Sequence, residues 1–272
     1  MPRRPRKTRR LASAGWRIAL VVTALAAAIA GSATLLPPTA NPSDPAALTA
    51  RIIAGLAISG GVVALIALLT RRADRSRLSD AGFARPGSGW RLASWGAGVW
   101  LVPAAAGFGV LALLGMPLTV AAPAGEVART VLLLFLAVLL TEALPEEAIF
   151  RGYVTTVLGT VTTGWRIVIA QAVLFALFGA VLRQDWNPLN LSLFAVMGIG
   201  FGYLRMITGS IWMPIGFHAA FQTGAQLVLT HPVVGFTGGQ DVAMLAVGTA
   251  PFAVAALVVS TTGIPRFVAP RP

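Results

Sequence analysis

The sequence predicts an all-α fold, a polytopic membrane helical bundle of about eight transmembrane helices. Three observations predict it. Only 11% of residues are charged and 56% are hydrophobic, whereas soluble globular chains carry about 25% charged residues. Mean hydropathy is +0.79. The apolar residues also gather into eight runs, each near the roughly 20 residues that cross a bilayer at about 1.5 Å per residue.

The runs fall at 17–36, 49–70, 93–115, 129–150, 166–182, 191–208, 211–230 and 242–262. Punctuation separates them. Pro37-Pro38 and the stretch from Pro42 to Pro45 end the first, Arg71-Arg72 the second, and Met116-Pro117 the third. Asp185 to Asn190 follows the fifth, and Thr208-Gly209 divides the sixth from the seventh. With the N-terminus inside, 18 of the 21 basic residues fall on the inner side, leaving Arg51, Arg129 and Arg183 outside. That bias is the positive-inside signature, and it predicts a multi-pass protein of the cell membrane with both termini cytoplasmic. A cleaved signal peptide is disfavoured because the first apolar run exceeds an h-region of about 7–15 residues.

Residues 1–16 read as a basic cytoplasmic tail, 17–262 as the membrane-embedded helical domain with its motif-bearing core at about 130–230, and 263–272 as a second cytoplasmic tail. Residues 1–15 are expected to be disordered and to lie against anionic lipid. Net charge is +12, yet the basic residues flank apolar runs, so they report topology and predict membrane lipid, not nucleic acid, as a partner. No cysteine is present and only two histidines, His218 and His231. Disulfides, thiolate metal sites, cysteine nucleophiles and histidine-rich cages are excluded. No cofactor is expected. Gly198 and Gly202 form a small-xxx-small face, which predicts close helix packing.

Carboxylates inside a bilayer cost about 2.5–3.5 kcal/mol each on insertion scales, so intramembrane acids require a reason. Three of the nine acidic residues crowd TEALPEEAIFRGY: Glu142, Glu146 and Glu147, followed by Arg151. Glu147 and Arg151 are spaced i, i+4 with the acid first, the favourable order for a helical ion pair. Glu142 and Glu146 share another face, where stacked like charges make one of them a candidate general base. Pro145 lacks an N–H and is expected to free the carbonyl of Thr141. In WMPIGFHAAFQTGAQL, His218, Gln222 and Gln226 line one stripe that must face the bundle interior.

These strings resemble a known family. EEAIFRG at 146–152 resembles the EExxxR signature of the CAAX-processing and bacteriocin-processing (CPBP) intramembrane endopeptidases. That family's order continues with FxxxH on the next helix and an HxxxN-type pair on a late helix. Phe175 in QAVLFALFG matches the start of the second element, and His218 with Gln222 matches the third. The resemblance covers about residues 130–230. It implies that Glu146 is the general base, Glu147 and Arg151 its structural support, and His218 and Gln222 oxyanion donors. It implies a membrane-proximal peptide or protein substrate, either a prenylated-type C-terminus or a leader-bearing peptide.

Two departures stand out. Gly179 occupies the family's second-element histidine position, and Gln222 its asparagine. The family is also described as metal-dependent, but two histidines and a glutamate about one ion would need the histidine replaced by Gly179, so no metal is expected. Glu142 is a candidate stand-in; His231, in an outer loop, is a poor one. A non-catalytic member that binds a membrane partner or confers peptide immunity is the alternative. A transporter or channel is disfavoured by the lack of an inverted repeat.

A final tension concerns the fourth helix. If it ends near residue 150, Glu146 and Gly179 lie too far apart to meet. They can meet only if the helix continues to about Leu158.

Overall fold

In the computed structural model, which describes residues 5–35, 41–83, 86–266 and 268, the apolar runs are helices. Lipid offers no hydrogen bonds, so each backbone N–H and C=O must be satisfied within its own segment. Eight long helices occur among the described residues: α1 Pro5–Leu35, α2 Pro45–Leu69, α3 Pro86–Leu113, α4 Ala124–Leu158, α5 Trp165–Arg183, α6 Pro188–Thr208, α7 Trp212–Leu229 and α8 Gln240–Thr262. Seven are long and apolar enough to cross a membrane. The eighth, α7, has 18 residues and carries His218, Gln222 and Gln226, which dilute its apolar character, and most of its residues are buried.

Two expectations change. Helix α1 starts at Pro5, so the part of the expected disordered tail that is described is helical. Arg51, counted on the outer side, lies in the early turns of α2, inside the expected run 49–70. Most consequential, α4 does not stop near 150: it runs on through Leu158 as 35 residues. At about 1.5 Å per residue it is about 52 Å long, longer than the roughly 30 Å hydrocarbon core, so it tilts or projects. The Pro37-Pro38 punctuation lies outside the described residues. Two three-residue strands, β1 Leu118–Val120 and β2 Val234–Phe236, pair antiparallel and tie the α3–α4 loop to the α7–α8 loop.

Packing forms two large apolar clusters that share α7. One apolar cluster joins α1, α2, α4, α5 and the start of α7, including Leu25, Ile66, Phe150, Phe175 and Ile215. A second joins α3, α6, α7 and α8, including Trp100, Phe201, Phe217 and Val259. Backbones approach closely within and between these clusters. A Cβ at Gly216 would lie 1.8 Å from Ala93 O, and one at Gly96 would lie 2.1 Å from Met213 O, so α3 and α7 touch main chain to main chain. The expected Gly198–Gly202 face packs α6 onto α5, where added Cβ atoms would meet Ala172 and Gln171. The motif-bearing stretch of α4 packs in the first cluster and meets α7 through Glu147 and His218.

Candidate active site

Helix α4 is not uniformly α-helical. Turns of π-helix occupy Leu139–Ala143 and Ala148–Val154, on either side of the short α segment Leu144–Glu147. Such wide turns are rare and recur at functional sites. In the first, Leu144 N–H reaches back to Leu139 O, and Pro145 has no N–H to offer the next carbonyl. The acceptor left open is therefore that of Leu140, one residue before the expected Thr141. Ser59 Oγ on α2 donates to it at 2.6 Å.

Glu147 and Arg151 form the expected ion pair, with Nη1 to Oε1 at 3.0 Å and both side chains fully buried. Glu147 Oε1 also meets His218 Nδ1 at 2.9 Å. A carboxylate paired with arginine can only accept, so Nδ1 of His218 carries the proton and Nε2 is left for the other side. Glu147 Oε2 and Arg151 Nε and Nη2 have no hydrogen-bond partner among the described residues. Aromatic faces cover the guanidinium instead: its carbon lies 4.3 Å from the ring centre of Phe175 and 5.1 Å from that of Phe201. Such faces attract a desolvated cation. Phe201 also stacks on the His218 ring at 5.0 Å and 17°. Glu147 and Phe201 together fix the orientation of the imidazole.

Glu146 points the other way. Its side chain keeps 14% exposure, and Oε2 lies 4.0 Å from His218 Nε2. Glu146, His218 and Gln222 border one cavity of about 310 Å³, together with Glu142, Phe175 and Gly179. The size suits a small ligand or a peptide side chain. The extension of α4 to Leu158 is what brings Glu146 and Gly179 to the same space. Of the residues expected at the site, Glu146, His218 and Gln222 face the cavity, whereas Glu147 and Arg151 stand behind it.

Gly179 is not an open notch. A Cβ built there would lie 2.9 to 3.0 Å from three atoms of the Phe194 ring. A phenyl group from α6 thus packs against the position where the sequence resemblance expects an imidazole on α5. Glu142, the candidate stand-in, is already engaged: its carboxylate pairs with Arg51 and accepts from Gln226 Nε2 at 3.0 Å. Arg51 Nη1 completes the triangle by donating to Gln226 Oε1 at 3.0 Å. His231 is buried and bonds Ser43 Oγ at 2.9 Å, and it does not border the cavity. Burial, and then the neighbouring Arg51, holds its imidazole below the ordinary histidine pKa.

The residues present do not fit a metal site. His218 Nε2 faces only Glu146 across the cavity, position 179 offers no side chain, and no group of three His, Cys, Asp or Glu among the described residues is placed to hold an ion. Sequence reasoning missed Arg51, Phe194 and Phe201. Arg51 had a signal, as a lone cation within an apolar helix. The two phenylalanines had none that separates them from other apolar residues.

No curated protein and no solved structure matches the chain. A family model does, over the stretch that begins in the first turns of α4 and ends just past Gln222 on α7. Residues 128–224 match the family model described as Type II CAAX prenyl endopeptidase Rce1-like, so that stretch is similar to the CAAX-type intramembrane proteases.

Proposed function

We propose that the chain is an intramembrane endopeptidase of the cell membrane, with both termini cytoplasmic, in which Glu146 activates water against a peptide bond. The observation that carries this reading is the convergence of Glu146, His218 and Gln222 on one cavity wall. Glu146 takes a proton from a water molecule as the resulting hydroxide bonds to the peptide carbonyl carbon. The oxyanion accepts hydrogen bonds from the Gln222 amide and from His218 Nε2, a role in which Nε2 carries a proton as Nδ1 does. The C–N bond breaks as Glu146 passes its proton to the leaving amine. Glu147 and Arg151 act as positioning residues through the His218 ring.

A second reading is favoured by the Phe194 ring over Gly179, which puts an apolar group where a proton-handling one is expected. On that reading the chain binds a membrane partner or confers peptide immunity without chemistry. Cleavage of a peptide panel in proteoliposomes separates the two. The protease reading expects wild-type cleavage that Glu146→Gln lowers by about 10²–10⁴ and Gln222→Ala by about 10²–10³. Gly179→His is tested together with Phe194→Ala, because the phenyl ring leaves no room for an imidazole. A silent wild type woken by that double change overturns the protease reading and establishes a retired scaffold.

A further inference from the structure

The cavity has a direction. Its walls come from the last turns of α1 (Ile29, Ser32, Ala33) and α5 (Leu182, Arg183), and from the early turns of α2 (Arg51) and α6 (Phe194). These helix ends lie together at the end of the bundle that holds Leu35, Pro45, Arg183 and Pro188. The basic loop residues Arg71, Arg72, Arg75 and Arg77 follow the other end of α2. That other end is tied shut. Arg17 pairs with Asp74, Tyr153 donates to Asp74 Oδ2 at 2.9 Å, Arg205 Nε donates to Arg151 O at 3.0 Å, and Ile211 N donates to Gly82 O at 3.1 Å.

Basic loops stay in the cytoplasm. We infer that the cavity opens on the non-cytoplasmic face, so that its substrate is an apolar peptide segment presented from outside the cytoplasm or from the outer half of the membrane. A prenylated C-terminus on a cytosolic protein would meet the closed end. The walls suit an apolar segment, since Ile29, Ile58, Phe178, Leu182 and Met197 all line them. This inference rests on the peptidase reading for what the cavity holds, but its sidedness does not depend on any cleavage.

The absence of cysteine from the chain makes a direct test clean. Single variants Ala33→Cys and Arg183→Cys mark the rim, Thr141→Cys marks the cavity interior, and Ser79→Cys marks the basic end. Each is treated with a membrane-impermeant thiol reagent, in intact expressing cells and in inverted vesicles. The expected result is labelling of both rim variants and of Thr141→Cys in intact cells, with Ser79→Cys labelled only in inverted vesicles. The inference is overturned if rim and basic end exchange sides, if Thr141→Cys reacts only from the basic face, or if it reacts from neither. A peptide panel that goes uncleaved sinks the peptidase reading and leaves this result standing, so the two failures are distinguishable.

Discussion

Glu146 and Glu147 are neighbours in sequence with opposite duties, and their burial separates them. Glu147 is fully enclosed with Arg151, so removing either partner strands a charge away from water. Arg151→Ala is expected to destabilise the protein by about 3–5 kcal/mol, and the double change Glu147→Leu with Arg151→Met to recover much of that loss. Glu146→Gln changes a group that already faces the cavity and should leave the thermal transition in detergent near that of the wild type. Equal transitions for Arg151→Ala and Glu146→Gln would refute the division of labour. His231 makes a second residue-scale prediction. Its folded pKa lies below the ordinary value, so the unfolded chain binds the extra proton first. Its contribution is complete above about pH 6.5 and declines as pH falls below it. His231→Gln should flatten that part of the stability profile, read as thermal transition against pH from 8 to 5.

At the scale of elements, the α3–α7 contact sets where His218 stands. Gly216 lies two residues before His218, and its Cα rests on Ala93 O with no room for a methyl group. Gly216→Ala must push α7 off α3, which costs about 1–3 kcal/mol as overpacking. It should also move His218 relative to Glu147, so cleavage should fall further than Glu146-independent stability accounts for. Gly98→Ala, on the same α3 helix but with open space around its Cα, is the control, and a similar loss there would remove the argument. The helices themselves were largely legible, because lipid demands long apolar runs and the basic residues sort by side. The end of α4 was not, since Phe150 to Leu158 mixes apolar residues with Arg151, Gly152 and two threonines, which reads as a helix end until burial by α2 and α5 is known. The π turns carry no composition of their own, and only Pro145 hinted at one. The polar groups that meet at and behind the cavity stood out because such side chains are rare in lipid: Glu146, Glu147, Arg151, His218 and Gln222. Arg51, Phe194 and Phe201 act through partners far away in sequence, a relation that only packing reveals.

At the scale of the whole molecule, the bundle has one closed end and one hollow end, and the closed end must hold α1, α2 and α4 together for the hollow end to keep its shape. Asp74 does this with two contacts, to Arg17 on α1 and Tyr153 on α4. The Arg17 and Asp74 side chains are only 10% and 15% exposed, so solvent screens the pair less than it would an exposed surface bridge. Asp74→Ala leaves the arginine and the phenol without their acceptor. The expected loss is about 1–3 kcal/mol, between the values for exposed and fully buried pairs, read as a lower thermal transition in detergent. Arg17→Met in the same background should restore part of it, since the stranded charge is then gone. Because these residues lie far from the cavity rim, labelling of Ala33→Cys from the outside should be unchanged in the Asp74→Ala background. A neutral Asp74→Ala would mean that apolar packing of Leu25, Ile66 and Tyr153 closes that end without the ion pair. A destabilised variant rescued by Arg17→Met would place the fastening in the charge itself.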